Sequence, residues 1–257
     1  MCGIFGYLGH QQALPILVEG LRRLEYRGYD STGVAVDDGD SIQTHKTVGR
    51  VADLKAILPD DVPGTLGIAH TRWATHGGVT EANTHPHASH DGAIHLVHNG
   101  IIENHHPLRL QLQELGYVFT SETDTEVVAH LLAHHYGRQQ NMLSALRCTL
   151  AELRGAFALG IIHQDEPDTL YCARMGSPLV IGVGSGEQRV HVVLEQRDDG
   201  RVAFAFCDGQ WRPTVPHRPI DLRAFVQQQP RRVDVAVKAG DEQRRLAILV
   251  RPIDLRA

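Results

Sequence analysis

Residues Gly3 to Leu8 form an apolar run that begins two residues into the chain. A short uninterrupted apolar run reads as a buried strand, so the sequence predicts a buried strand at the very N-terminus. Ala13 to Leu24 then sets Leu14, Ile16, Leu17, Leu21 and Leu24 at helical spacing and ends before the Arg27-Gly28-Tyr29-Asp30 turn. Thr32 to Asp37 and Ser41 to Lys46 read as a hairpin across Asp38-Gly39-Asp40, and Gly49 to Leu58 as a short helix stopped by Pro59. Strand runs follow at Leu66 to Arg72 and Ile94 to His98, with a loop rich in Gly, Asn, His and Pro between them. Helices are predicted over Pro107 to Leu115, Asp124 to His135 and Ser144 to Leu153, and strands over Ala156 to His163, Thr169 to Arg174 and Pro178 to Val183. Strands mixed with paired helices, without strict βαβα alternation, predict an α+β layered-sheet fold and argue against a Rossmann arrangement.

At 257 residues the chain has room for one or two domains. A net charge of -5 gives no basic face for nucleic acid, and no stretch approaches the roughly 18 apolar residues that span a bilayer. No positive segment precedes an apolar run at the start, so no signal peptide is expected. Cys2, Cys148, Cys172 and Cys207 are scattered and lack CxxC spacing, the usage of a reducing compartment. These features together predict a cytoplasmic protein.

Seventeen histidines invite a metal hypothesis, with the densest group at His85, His87 and His90 and with His95 and His98 nearby. No HExxH pattern occurs and no carboxylate stands at a recognised ligand spacing. The expectation is therefore no metal and no cofactor, with the histidines solvated in loops. Gly182-Val183-Gly184-Ser185-Gly186 lacks the spacing of a phosphate loop and reads as a turn.

Cys2 carries the first chemical signal. Initiator methionine is usually removed ahead of a small side chain, and its loss would give Cys2 a free α-amine next to its own thiol. An α-amine has a reference pKa of about 8. It can serve as the local base for the nucleophile on the same residue, as in N-terminal threonine enzymes.

Several segments fit with that start: Leu24-Glu25-Tyr26-Arg27-Gly28-Tyr29-Asp30-Ser31, His70-Thr71-Arg72-Trp73-Ala74-Thr75-His76-Gly77, Asn83-Thr84-His85-Pro86-His87, His98-Asn99-Gly100-Ile101-Ile102-Glu103-Asn104 and Ser121-Glu122-Thr123-Asp124-Thr125-Glu126. Together with Met1-Cys2-Gly3-Ile4-Phe5-Gly6-Tyr7, this ordered set resembles the glutaminase domain of the glucosamine-6-phosphate synthases, which are N-terminal-nucleophile amidotransferases. The resemblance covers residues 1–186. It implies a four-layer αββα sandwich and hydrolysis of L-glutamine to glutamate and ammonia through a Cys2 thioester, as the ammonia-donating half of hexosamine synthesis.

Amide cleavage needs a nucleophile, a proton shuttle, an oxyanion stabiliser and a hold on the amino-acid end of the substrate. Cys2 supplies the first two. Asn99 and Gly100 offer a side-chain amide and an unhindered backbone N–H for the oxyanion, while Asn-Gly standing alone reads as a turn. Arg72 suits the α-carboxylate, because its planar fork matches a carboxylate bidentately. The resemblance adds Thr75 and His76 to that carboxylate site and assigns Asp124 to the α-ammonium. Read from the sequence alone, Asp124 is also a candidate helix N-cap. Arg27 is expected to order the Cys2 loop, and Trp73 to serve as core, lid or both. Two other readings stay open: a non-catalytic glutamine-binding or partner-docking module, and an amidohydrolase of the same type acting on another amide.

The sugar-phosphate isomerase domains of the family have no counterpart here, so synthase activity is not expected from this chain alone, and a separate isomerase chain is the candidate acceptor. The resemblance fades after Ser177-Pro178-Leu179-Val180-Ile181-Gly182. Residues 187–257 hold 13 Lys+Arg against 10 Asp+Glu, leaving 12 against 20 for residues 1–186. They contain a degenerate tandem repeat, whose copies begin at Arg189 and Arg232 and end in Arg218-Pro219-Ile220-Asp221-Leu222-Arg223-Ala224 and Arg251-Pro252-Ile253-Asp254-Leu255-Arg256-Ala257. Each copy reads as strand, polar turn, strand. A small antiparallel β appendage and a weakly structured extension are both consistent with that pattern.

Overall fold

In the computed structural model, two six-stranded antiparallel sheets stack face to face and helices cover the outer side of each. The structure describes residues 2–74, 77–177, 179–183, 187–192, 233–238 and 247–252. The first sheet contains β1 (Gly3–Gly9), β2 (Ser31–Asp37), β3 (Ile42–Val48), β4 (Leu66–Arg72), β9 (Val180–Val183) and β10 (Glu187–Val192), in the order β3-β2-β4-β1-β10-β9. The second contains β5 (His87–Ala88), β6 (Ile94–Ile102), β7 (Gly155–His163), β8 (Thr169–Met175), β11 (Val233–Lys238) and β12 (Ala247–Pro252), in the order β12-β11-β8-β7-β6-β5. This is the αββα sandwich expected from the resemblance.

Three apolar layers hold the sandwich together. Ile4, Ile68, Val97 and Ile162 belong to the layer between the sheets. Leu17 and Leu21 of helix α1 (Ala13–Leu24) pack with Phe5 and Tyr7 of β1 in a second layer, which α2 (Val51–Ile57) joins. Leu132 of α4 (Asp124–Gln139) and Leu146 of α5 (Met142–Glu152) pack with Leu96 and Phe157 in a third, which α3 (His105–Glu114) also joins. Alternation along β1 produces the division, with Ile4 facing the other sheet and Phe5 the helix. Burying each leucine or isoleucine contributes about 1.5–3 kcal/mol. Gly20 lets α1 settle onto β1, since a Cβ there would stand 2.3 Å from the Phe5 ring.

The run of Gly3 to Leu8 is the buried strand β1, paired with β4 on one side and β10 on the other. Helix α1 has the predicted bounds. Strand β6 runs four residues beyond the predicted His98, because β7 pairs along its whole length and carries Asn99 opposite Ala158 and Gly100 opposite Phe157. Helix α3 starts at His105, two residues ahead of the expected start. Pro107 is tolerated there because the first helical turn lacks N–H acceptors in any case.

Strand β10 contains the start of the first repeat copy, and its register runs from Ile4 opposite Val192 to Gly9 opposite Glu187. Strand β11 contains the start of the second copy and pairs with β8, while β12 pairs with β11. The equivalent first strands of the two copies thus sit in different sheets. The rest of the tail, and the Gly184-Ser185-Gly186 part of the predicted turn, lie outside the described residues.

Candidate active site

Cys2 immediately precedes β1, and the β1–β4 register of Gly3 opposite Thr71 brings it beside the end of β4. Its Sγ accepts the Trp73 backbone N–H at 3.2 Å, and the thiol lies 3.5 Å from Trp73 O. Burial pushes the thiol pKa up, while the Trp73 N–H and the Arg72 charge work in the opposite direction. A thiol in that position is protonated at neutral pH and needs a nearby proton acceptor before it attacks.

Arg72, the last residue of β4, is buried and lines the same cleft as Cys2. Its Nη1 donates to Gly78 O at 3.0 Å and its Nη2 to Gly77 O at 3.4 Å. The far side of that loop is tied as well. Glu122 Oε2 accepts the Gly78 N–H at 3.1 Å and Asn83 Nδ2 at 3.0 Å, and the Asn83 hydrogen bond holds the Glu122 carboxyl below its usual range. Asp30 Oδ2 accepts the Ala74 N–H at 2.9 Å, pinning the turn whose preceding peptide holds the sulfur. The Trp73 ring is 43% exposed and meets Tyr29 edge-on, so it stands at the mouth of the cleft and not in the core. Thr75 and His76 lie outside the described residues.

Asn99 and Gly100 belong to β6 and not to a turn. Gly100 has φ +126°, a left-handed conformation that favours glycine, and a Cβ there would stand 2.1 Å from Ala156 O. It lines the cleft, while the Asn99 side chain is buried beside it in sequence. Asn99 Oδ1 lies 3.0 Å from His70 Nε2, and its Nδ2 has no hydrogen-bond partner among the described residues. A buried amide N–H without an acceptor is a donor held in reserve.

Asp124 opens α4 and also lines the cleft. It is not the N-cap as expected. Thr123 is the cap, its hydroxyl accepting the Glu126 N–H at 3.4 Å, and this leaves the Asp124 carboxylate available elsewhere. Asp124 Oδ2 takes the Ile102 N–H at 2.8 Å, locking α4 to the end of β6. Arg27 is buried in the 3-10 turn Glu25–Arg27 and is not among the cleft-lining residues.

The expectation of solvated loop histidines is wrong for His85, His87, His95 and His98, all of which are buried. His85 Nε2 and His98 Nδ1 each lie 2.9 Å from Thr125 Oγ1, and His87 Nε2 lies 3.1 Å from Thr123 Oγ1. The His70 and His85 rings stack at 4.1 Å. Burial first, then neighbouring positive charge, drives the pKa of His85 and His87 well below the ordinary histidine range, and burial brings His95 to about 4. His85, His87 and His95 are thereby held neutral at pH 7. No group of three or more His, Cys, Asp or Glu poised for a metal occurs among the described residues.

His85, His98, Thr123 and Thr125 line the cleft, and none was singled out as a site residue from sequence. Strand periodicity was the signal that could have found His98, which lies two residues before Gly100. Glu126, in the same motif as Asp124, is structural: its carboxylate accepts from the backbone N–H and hydroxyl of both Thr120 and Ser121 at 2.7–2.8 Å.

A cysteine ahead of a buried strand, with Gly100, an arginine and an aspartate lining one cleft of an αββα sandwich, is an arrangement suited to acyl transfer from an amide. Residues 70–193 match the family model of the glutamine amidotransferase domain. Over 188 residues it is 57% identical to the glutamine–fructose-6-phosphate aminotransferase (isomerizing) of Acinetobacter baylyi, a match covering 73% of this chain and 30% of the relative. Over 191 residues it is 53% identical to the protein of the same name from Xylella fastidiosa, covering 74% of this chain and 31% of the relative. The chain therefore spans about a third of the length of these curated relatives. Among solved structures, glutamine phosphoribosylpyrophosphate amidotransferase from B. subtilis aligns over 74% of this chain and 41% of its own, with a TM-score of 0.64 and 29% identity.

Proposed function

We propose that the chain hydrolyses L-glutamine to glutamate and ammonia through a thioester on Cys2, and that it does so as the ammonia-donating half of glucosamine 6-phosphate synthesis. The observation that carries this reading is the convergence of Cys2, Arg72, Gly100 and Asp124 on one cleft, with the spare Asn99 N–H beside Gly100. The Arg72 fork and the Asp124 carboxylate match the two charges at the amino-acid end of glutamine. Thr75 and His76 complete the carboxylate site in this reading, and Arg27 supports the Cys2 loop.

With Met1 removed, the Cys2 α-amine takes the thiol proton as sulfur attacks the amide carbon. The carbonyl electrons move onto oxygen, where Asn99 Nδ2 and the Gly100 N–H receive them. The ammonium form of the α-amine returns the proton to the leaving nitrogen, and ammonia departs as the thioester forms. Water then attacks the thioester and releases glutamate, restoring the thiol. No cofactor enters this sequence. Each oxyanion donor is worth on the order of 3 kcal/mol of barrier.

The names of the curated relatives support fructose 6-phosphate as the ultimate acceptor, held by a sugar-phosphate isomerase domain or chain. The 257-residue chain alone is expected to release free ammonia without making glucosamine 6-phosphate. All the chemical groups invoked lie before Gly186, and residues 187–257 are assigned no chemical role. A cytoplasmic location fits this role, and no helix among the described residues is long and apolar enough to cross a membrane.

The test is ammonia release from glutamine in a coupled assay, with Cys2→Ser and with an uncleavable extension ahead of Cys2. Both changes should abolish turnover while leaving the fold intact. Full turnover by the extended protein would overturn the self-activated nucleophile. No ammonia from the unaltered, processed chain, with glutamine still bound, would favour a binding module, and release from other amides alone would point to a different amidohydrolase.

A further inference from the structure

His70 lies on β4 of the first sheet, and Asn99 on β6 of the second. Their side chains meet across the space between the sheets at 3.0 Å, from His70 Nε2 to Asn99 Oδ1. The same Nε2 lies 3.0 Å from His98 O. A backbone carbonyl only accepts, so Nε2 carries the proton and donates to both oxygens. That assignment decides which way the Asn99 amide faces. With its NH2 turned toward His70, two donors would oppose one another, so Oδ1 must face the ring and Nδ2 the other way. That Nδ2 is buried and has no partner among the described residues.

We propose that His70 is a positioning residue for the reaction: its Nε2–H holds the Asn99 amide in the one orientation that presents N–H, and not C=O, to the oxyanion formed at Cys2. This rests on the reading of Asn99 as an oxyanion donor. A freely turning amide would place a carbonyl dipole against the developing negative charge for part of the time, and preorganised donors are effective because they need no reorientation. Two further observations agree. The His70 ring is 1% exposed and burial brings its pKa down to about 3, so it stays neutral and keeps a single tautomer at working pH. Its Nδ1 has no hydrogen-bond partner among the described residues, so the interior retains a half-satisfied imidazole where an apolar side chain would pack without that cost.

The experiment is a double-mutant cycle on glutamine hydrolysis with His70→Met and Asn99→Ala, supplemented by His70→Gln, whose amide N–H reaches close to the position of Nε2. His70→Met should lower kcat by about 10- to 100-fold with little change in KM, and His70→Gln should recover most of that loss. In the Asn99→Ala background, His70→Met should have almost no further effect, because it acts through Asn99. Multiplicative losses, or a His70→Gln protein as slow as His70→Met, would overturn the proposal. If Asn99→Ala alone leaves kcat unchanged, it is the oxyanion assignment that fails. Should His70→Met not fold, nitrogen NMR of the unaltered protein still decides the point: an Nε2–H tautomer for His70 at pH 7 is required, and an Nδ1–H tautomer overturns it.

Discussion

The Trp73 backbone N–H points at the Cys2 sulfur from 3.2 Å, so the nucleophile is held by a peptide group at the end of β4 and not by a side-chain base. The sulfur's hydrogen bonds among the described residues both go to the Trp73 backbone, one from its N–H and one to its C=O. Asp30 fixes the next peptide through the Ala74 N–H, which makes the mount rigid. A peptide N–H stabilises a thiolate but removes no proton, and this arrangement fits a nucleophile that carries its base on its own backbone nitrogen.

Asn99→Ala should lower kcat for glutamine hydrolysis by about 10²–10³ with a small change in KM, because its free N–H has work to do only when the oxyanion forms. Steady-state ammonia release across glutamine concentrations measures both parameters. A rise in KM with kcat preserved would move Asn99 into ground-state binding.

Arg72→Ala should raise KM by roughly ten- to a hundredfold, the loss expected for a charged hydrogen-bond pair made in ground and transition states alike. Arg72→Lys should recover little of it, since an ammonium cannot reproduce the fork. Some fall in kcat is expected too, because Arg72 also holds the Gly77 and Gly78 carbonyls. A large kcat loss with unchanged KM would count against the carboxylate clamp.

Stability should fall as pH drops below about 6.5, the ordinary histidine pKa. His70 and His95 have folded-state values of about 3 and about 4, so between those values and 6.5 the unfolded chain binds protons that the folded chain does not. Stability therefore rises with pH through that window and is lost on acidification. One such histidine alone accounts for about 2 kcal/mol between pH 6.5 and pH 5. Urea midpoints at pH 7 and pH 5 test this, and equal midpoints would mean that the buried rings are reached by water.

A chain ended at Gly186 retains all the proposed chemical groups but removes the six residues that pair with Ile4 to Gly9 of β1. Its melting temperature should fall by at least about 5 °C relative to a chain ended at Leu194, with a parallel loss of glutaminase activity. Equal melting and turnover of the two would show that β1 does not depend on β10.

Most of the sandwich was legible in the sequence, because apolar periodicity reports directly on which layer a residue enters. Leu17 and Leu21 kept helical spacing, and Gly3 to Leu8 an unbroken run. The misreadings came where a local signal met a tertiary one. Asn99-Gly100 carries a turn signal, yet pairing with β7 keeps both residues in the strand. The histidines looked solvated by residue type, and only the stacking of His70 on His85 and the shared Thr125 hydroxyl explain why burial is tolerated. Thr123 outcompeted Asp124 as a cap because the Asp124 carboxylate is taken up by the Ile102 N–H. The spare Asn99 N–H has no sequence signal at all, since it exists only when His70 arrives from the opposite sheet.

The position of β10 beside β1 also fixes an order of events. The strand behind Cys2 is made long before β10, and one of its edges stays open until Val192 has been made. An unpaired apolar strand is a ready template for wrong partners during that interval. Cys2 is therefore mounted on a fully paired strand only after some 190 further residues of translation, roughly 10–40 s at the usual rate. Until then its thiol lacks the finished sheet that supports it.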